Sequence, residues 1–504
     1  MNIAEVALIA TFVVLLLLIT LEKVDKLIGG VLGGIIVFFI LFLAEGFVLQ
    51  RGDLNILEFI DFSVILTILG IFVSVEVIRE SGFFQWLGIK GIKATKGRSY
   101  PLFILLCIVS SILSGIVTSI AVMIIVGSLT VDIAKILDIN PLPYLAAEAI
   151  TVNVGTLVTP IASIPNIIVL GRLEQASFGF YAVNLAPFSL FLIPITIFIL
   201  MKRSELLEEP GEDRRLVLME FSEWAVVSNR KLFKRAAFLF ITMIVSFILL
   251  PNLFPAVKLW LVSVIFMFIF LALPETDAGE LIKNIEWDTI FFLIGLFIMV
   301  EGLSHKGLLL RAAQAIQTVV GGREILSILL ILWFSFFASG VIDNIAVTIA
   351  ILPVVMFLIE SPELQAIAPV ILTTLIIGVN LGGNLTPMAS PTTVLAMSLS
   401  KRSGQELTPT MFFKIGFLTT MLQVTIASVY LLVVYFLTTF LRVSMGMVNV
   451  FTLIAALFGY MGLYSMEAVR EKLERLVSYI RDRFSKAKKE LMKVLHKLLP
   501  ASSR

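Results

Sequence analysis

The stretches SGVIDNIAVTIAILPVV, from Ser339, and NLGGNLTPMASPTT, from Asn380, decide how the chain is read. Asp343 and Asn344 stand inside an apolar run with no lysine or arginine beside them. Gly382, Gly383, Asn384, Thr386 and Pro387 interrupt another. An ionisable residue in a membrane segment is costly and faces a partner or a watery cavity. Irregular backbone at membrane depth survives only where protein or water covers it. Two interruptions at similar depth suggest helix ends that meet around a ligand.

Working outward, the 504 residues are 59% hydrophobic and 15% charged, with a mean hydropathy of +1.04. About 20 apolar residues span a bilayer as a helix, and roughly eleven such stretches plus two re-entrant candidates are present. The apolar runs are continuous, not alternating, which excludes a β-barrel. The chain therefore reads as an all-α polytopic membrane protein. Cys107 is the single cysteine, so no internal disulfide forms, and it reads as packing. His305 and His496 lie far apart in sequence, which argues against a His/Cys metal site. The N-terminus lacks a basic n-region and a small-residue cleavage site, so it reads as a first membrane helix.

The first half places helices at 5–21, 28–48 and 62–78, and then a basic segment from Arg79 to Arg98. A hairpin candidate at 101–135 has SGIVTSIAV (114–122) at its middle. A helix from near Pro143 is broken by NVGTLVTPIASIPN (153–166), and another runs 184–201. The charged stretch 202–235 reads as a solvated loop. The second half runs the same way: helices at 236–253, 259–273 and 288–303, a hairpin at 325–361, a broken helix at 365–398 and a helix at 412–440.

A shift of 225 residues places Gly70 on Gly295, Phe72 on Phe297, Glu76 on Glu301 and Ser114-Gly115 on Ser339-Gly340. A shift of 227 places Asn153 on Asn380, Gly155 on Gly382, Thr159-Pro160 on Thr386-Pro387 and Ala162-Ser163 on Ala389-Ser390. Chance apolar similarity would not keep glycines, prolines and polar residues in register. The expected organisation is two repeats, 1–201 and 236–440, joined by a cytoplasmic linker at 202–235. Each has five spanning helices and one re-entrant hairpin. An odd number of crossings inverts the second copy. Lysine and arginine placement has Lys23, Lys26, the 79–98 cluster, Lys135, the 202–235 stretch, Lys401, Arg402 and Lys414 inside. Arg51, Arg172, Arg442 and the basic segment of Lys306, Arg311 and Arg323 are outside. The inside excess, which the 306–323 segment runs against, puts the N-terminus outside and the C-terminus in the cytoplasm of a plasma (inner) membrane. One extra helix is expected at 447–465. Residues 466–504 carry eleven Lys/Arg against five Asp/Glu at amphipathic spacing. They read as a cytoplasmic tail that contacts anionic lipid, packs on a protein partner, or is merely solvated. The expected partners are lipid and a small ion or solute, not nucleic acid; a homodimer stays open.

The segments IDFSVILTILGIFVSVEVIRESGFF, VIDNIAVTIAILPVV and NLGGNLTPMAS resemble the ion transporter superfamily. The likeness is to its arsenite-efflux, NhaD-type antiporter and P protein branch with a citrate-transporter-like domain, and covers about residues 1–440. The resemblance implies a scaffold domain, a moving transport domain, and ligand sites where each hairpin tip meets its broken helix. The P protein branch carries an Asp-Asn pair at such tips. Asp343-Asn344 matches it, and Thr118-Ser119 departs from it. Dicarboxylate relatives carry Ser-Asn-Thr tips, which this chain lacks at both places.

Helix N-termini suit anions and C-termini suit cations. Asn153, Gly155, Thr156, Thr159, Ser163 and Asn166 in the first half face Asn380, Asn384, Thr386, Ser390 and Thr393 in the second as neutral ligand candidates. Such hard oxygens suit Na⁺ or a polar neutral solute. Asp343, with Asn344, is the candidate Na⁺- or proton-binding group; its competing reading is a helix cap. Gly382 and Gly383 read as backbone shapers. Glu76, Glu148 and Glu301 are proton-relay candidates or structural hydrogen bonders. No cofactor is expected beyond Na⁺. The function expected is secondary transport of an inorganic ion or small polar solute, coupled to Na⁺ or H⁺. Sodium-coupled carboxylate or anion uptake and a channel on the same fold are the alternatives. A membrane enzyme lacks support, since no H-E-x-x-H, G-x-S-x-G or Walker motif stands out.

Overall fold

A computed structural model describes residues 2–465, apart from residues 22, 45–54, 174–175, 204–206, 221, 228 and 255. The tail 466–504 and Arg51 lie outside the described residues. The first half contains α1 (Ile3–Thr20), α2 (Lys26–Ala44), α3 (Phe62–Glu80), α4 (Phe83–Ala94) and α5 (Ser99–Ser114). There follow α6 (Ser119–Val122), a π-helical turn (Met123–Gly127), α7 (Ser128–Leu137), α8 (Leu142–Gly155), α9 (Ile164–Arg172), α10 (Phe178–Asn184) and α11 (Ala186–Arg203). The connector holds α12 (Glu212–Glu220). The second half contains α13 (Arg230–Leu253), α14 (Leu259–Leu271), α15 (Ala278–Lys283), α16 (Trp287–His305), α17 (Leu308–Val320) and α18 (Glu324–Val341). It continues with α19 (Asn344–Glu360), α20 (Ala368–Gly382), α21 (Pro391–Arg402) and α22 (Pro409–Thr439). A last helix, α23, runs Met445–Ser465.

Among the described residues, 11 helices are long and apolar enough to cross a membrane. The molecule is an all-helical integral membrane protein. Element starts keep the offset read from the sequence. Adding 225 takes Phe62 of α3 to Trp287 of α16, Phe83 of α4 to Leu308 of α17, Ser99 of α5 to Glu324 of α18, and Ser119 of α6 to Asn344 of α19. Adding 227 takes Ile164 of α9 to Pro391 of α21. The basic segments at 79–98 and 306–323 are not loops: each carries a helix, α4 and α17.

Two groups of helices result. In one, α2 packs along α16 and α3 along α14, with α1 and α13 outside them. In the other, α5 packs along α8 and α18 along α20, while α21 crosses α8 and α19 lies on α9. The helices α11 and α22 flank α8 and α20. The two groups are bridged by α4 and α17. Small residues permit the closest crossings, as bilayer helices favour. A Cβ on Gly295 of α16 would lie 2.1 Å from the Gly30 carbonyl oxygen of α2, and one on Gly70 of α3 2.5 Å from the Ser263 carbonyl oxygen of α14.

The connector differs from the solvated loop expected. The Glu208 carbonyl accepts from Ser99 Oγ at the start of α5. Glu223 pairs with Lys93 at 3.1 Å, and its own backbone N–H, then Lys93, hold its carboxyl below the usual range. Trp224 stacks near Trp86 and Phe233, with ring centroids 5.5 and 5.6 Å away. Charged residues outnumber aromatic ones here, so composition suggests solvent while geometry shows Trp224 against Trp86 of α4.

The crossings give a direct test. Gly295→Ala should destabilise the protein by about 1–3 kcal/mol, the usual cost of overpacking. Gly211→Ala should be neutral, because nothing lies within 4 Å of a Cβ there. Thermal denaturation in detergent compares the two.

Candidate functional site

The hairpin of each half is fastened to the broken helix of the same half by matched bonds. Ser114 Oγ donates to the Val152 carbonyl at 2.7 Å, and Ser339 Oγ to Val379 at 2.7 Å. Thr159 Oγ1 donates to the Gly115 carbonyl at 2.6 Å, and Thr386 Oγ1 to Gly340 at 2.7 Å. Gly155 and Gly382 allow this contact: a Cβ would sit 2.1 Å from the Ser111 carbonyl oxygen in the first case and 2.5 Å from that of Phe336 in the second. Thr159 and Thr386 thus spend their hydroxyl protons on a tip carbonyl, and Gly155 and Gly382 serve close packing.

Where the two broken helices meet, amides and hydroxyls from both halves form one buried cluster. Asn153 Nδ2 donates to Asn384 Oδ1 at 2.8 Å and, more weakly, to Ser390 Oγ at 3.4 Å. Asn380 Nδ2 donates to Asn166 Oδ1 at 2.9 Å. Asn380 Oδ1 accepts from Thr156 Oγ1 at 3.0 Å and Ser163 Oγ at 3.1 Å. The outer amides are anchored on backbone: Asn166 Nδ2 donates to the Thr156 carbonyl at 2.7 Å, Asn384 Nδ2 to Ile150 at 3.1 Å. Ser390 and Thr392 share a hydrogen bond of 2.7 Å. Gly383 borders the cluster, 3.5 Å from Asn153 Nδ2 were it to carry a Cβ. Thr393 is 0% exposed, and its hydroxyl has no hydrogen-bond partner.

The tips begin helices. Asp343 is the N-cap of α19, and its Oδ1 accepts from the Ile345 N–H at 2.8 Å. Thr118 holds the matching place before α6 and is buried, but its side chain makes no capping bond. Ser119 is half-buried, and Asn344 is buried with its carbonyl accepting from Thr348 Oγ1 at 2.7 Å. The capping reading of Asp343 is thus realised in the geometry. Its carboxylate makes no hydrogen bond with the amide cluster.

Three acids sit elsewhere. Glu148, 0% exposed on α8, accepts from Thr130 Oγ1, and its Oε2 has no partner. Glu76 is paired to Arg79 one turn on, with Nε to Oε2 at 2.7 Å. Glu301 lies 3.8 Å from Arg172. Cavities lie between the helix groups; the largest of the three, about 470 Å³, is lined by Val64, Thr67, Leu170, Gly171, Phe247 and Trp260 and holds no sequence-predicted site residue. One of about 230 Å³ is lined by Phe72, Glu76, Arg79, Thr118, Ala121, Ile124 and Glu286. One of about 300 Å³ is lined by Arg172, Phe297, Glu301, Ser304, Ile349, Pro353 and Glu360. The Asp61–Arg172 pair at the last of these was not singled out from sequence. Asp61 at a helix start reads as a cap, and Arg172 as a loop cation.

The citrate transporter family model matches residues 16–376 of this chain. A 46 kDa membrane protein of Mycobacterium leprae is 26% identical over 84% of this chain and 97% of its own length. An uncharacterised transporter of Mycobacterium tuberculosis is 27% identical over 75% of this chain and 87% of its own. The human P protein is 24% identical over 76% of this chain, which spans 54% of that protein. The YdaH transporter of Alcanivorax borkumensis superposes with a TM-score of 0.49 at 14% identity, over 75% of this chain and 85% of that one. The resemblance read from the motifs, to the citrate-transporter-like and P protein branch, agrees with these matches.

The cluster sets opposite expectations for two substitutions. Asn380→Ala strands the Asn166 amide oxygen and leaves the Ser163 hydroxyl without an acceptor, while Thr156 keeps its 2.7 Å bond to the Asn153 carbonyl. The cost is about 1–3 kcal/mol for each group left unpaired. Thr393→Val removes an unpartnered hydroxyl and should leave the melting temperature level or higher. If Thr393→Val also weakens solute binding in a thermal-shift titration, that hydroxyl contacts the solute.

Proposed function

The chain belongs to the citrate transporter family, and from that premise we propose that this membrane transporter is secondary active. It moves an inorganic ion or small polar solute on a Na⁺ or H⁺ gradient, by elevator-type movement of the hairpin group against the α2–α3–α14–α16 group. The observation that carries this reading is the buried cluster of neutral amides and hydroxyls between two broken helices, with the Thr118 tip bordering a cavity. Hard neutral oxygens suit Na⁺ or a polar neutral solute, and broken-helix ends add fixed partial charges. The two halves are proposed as inverted repeats, with the N-terminus outside.

Within this reading the tips have unequal roles. Asp343 brings a charge that can exchange H⁺ for a cation, while Thr118 and Ser119 bring hydroxyls alone. A neutral hydroxyl site lacks compensation for an ion's charge in a low-dielectric setting. Coupling is therefore assigned to Asp343 with Asn344, and the Thr118 side to the shape of the solute pocket. Glu148, buried against Thr130 within the moving group, is assigned as a proton holder.

Proteoliposome flux across a panel of ions, with ΔpH and Na⁺ gradients imposed separately, tests the reading. Uptake should follow one of the gradients and stop when all are collapsed, with ATP making no difference. Asparagine caps helices as well as aspartate does, so Asp343→Asn should stay folded yet lose cation or pH dependence. Thr118→Ala should mainly change apparent solute affinity. Full gradient-driven transport by Asp343→Asn, with its loss in Thr118→Ala, would reverse the assignment.

A further inference from the structure

The two faces of the molecule are held differently. In the crossing of α2 and α16, Gly30 meets Phe292, Gly33 meets Met299 and Gly302 meets Val37, so the helices run the same way. Their first residues, Lys26 and Trp287, therefore share one face. The next helix in sequence after α2 is α3, which returns to that face: its late residue Glu76 lines a cavity with Glu286, the residue before α16. Its start, Asp61, lies on the other face, where Glu301 near the end of α16 also lies.

On the Asp61 face, Arg172 ends α9, a helix of the hairpin group. Its Nε is 3.0 Å from Asp61 Oδ2, its Nη1 is 3.8 Å from Glu301 Oε2, and its guanidinium lies 5.7 Å from the Phe297 ring centroid. One cation of the hairpin group thus engages both α3 and α16. The internal offsets give the counterpart. Asp61 matches Glu286, Glu76 matches Glu301, and Arg172 matches Leu399. Acids are present on both faces, but the cations that end α21 on the Lys26 face, Lys401 and Arg402, are exposed, and Lys401 pairs with Glu406 of its own group. Leu399 there packs within that group, its Cδ1 2.7 Å from where a Gly127 Cβ would stand. The nearby Arg79 belongs to α3 and pairs along its own helix with Glu76. The cavities follow this difference. On the Lys26 face the cavity includes the tip residue Thr118. On the Asp61 face neither cavity includes a tip residue: one runs along the α19 shaft from Ile349 to Glu360, and the other, beside Val64 and Gly171, lies against α13 and α14.

We propose that Arg172 is a one-sided clamp, which fastens the hairpin group to α3 and α16 on the Asp61 face and so sets the chain to rest with its Thr118 tip open to the Lys26 face. This rests on the alternating-access reading above. Arg172 is a positioning residue: it acts through Asp61 and Glu301 and not on the solute. Breaking the clamp removes a contact present in one state only, so the equilibrium shifts toward the other.

The test uses single cysteines in a Cys107→Ala background, with a membrane-impermeant maleimide added from each side. Ala121→Cys reports the Lys26-face cavity and Ser304→Cys the α19 cavity of the Asp61 face. In the parent, Ala121→Cys should react from the Lys26 face, and Ser304→Cys slowly from the other. Arg172→Leu should raise the Ser304→Cys rate several-fold and lower the Ala121→Cys rate. Asp61→Asn, which keeps the α3 cap, should move both rates the same two ways, and Arg172→Lys should restore most of the parent pattern. The opposite change at Ala121 distinguishes a shifted equilibrium from simple unmasking of Ser304 beside the missing side chain. Rates that stay put, or that rise together, overturn the clamp. Distinctly, labelling of both cavities from one side only, in every variant, would sink alternating access itself.

Discussion

Buried polar groups in a bilayer must find partners within the protein, because no solvent is there to supply them. The four asparagines at the centre meet that demand across the halves of the chain. Asn153 bonds to Asn384, and Asn380 bonds to Asn166. Neither half can satisfy these amides alone, so the cluster commits the two halves to one another. The same bonds leave few free lone pairs and protons. Those that remain, such as the Thr393 hydroxyl, are where a solute has something to gain. A polar core at this depth is therefore first a joint between the halves, held by the same amides that would otherwise be stranded.

Around that joint, rigidity is distributed unevenly. Glycines and hydroxyls lock each hairpin to its broken helix through backbone carbonyls at 2.6–2.7 Å. Such contacts tolerate no extra methyl group, so hairpin and broken helix form one packed body in each half. The α2–α16 and α3–α14 crossings are equally close and form another. Between the bodies lie cavities, ion pairs and the bridging helices α4 and α17, which are the places where displacement costs least.

Much of this was legible because membrane segments are monotonous. Against an apolar background a glycine, proline or asparagine stands out, and the register of Gly155 on Gly382 or Ser114 on Ser339 could be counted directly. The element starts then fell at those offsets. What could not be read was pairing. Ten candidate amide and hydroxyl residues gave no indication that Thr159 and Thr386 bond to tip carbonyls while Thr156 and Ser163 reach across to Asn380. Hydrogen-bond choice depends on sub-ångström placement, which periodicity does not carry. Arg172 was counted only as an outward charge, since its partners are 111 and 129 residues away in sequence. The connector was misread for the opposite reason: its many charges hid the packed side of Trp224.

The divergence between the halves is itself ordered. Each contributes one amide from a shared position, Asn153 or Asn380. Each adds a second from a private one, Asn166 where the other half has Thr393, and Asn384 where the other has Leu157. The neutral donors thus remain balanced even though their positions do not correspond. Charge is not balanced. Asp343 faces Thr118 in the register, Glu148 faces Leu375, and Arg172 faces Leu399. A duplicated scaffold with matched charges would favour neither face and neither tip. Three ionisable groups thus stand off the register, while the number of amides that join the halves is kept equal, so the electrostatics of the two halves differ around a neutral centre that does not.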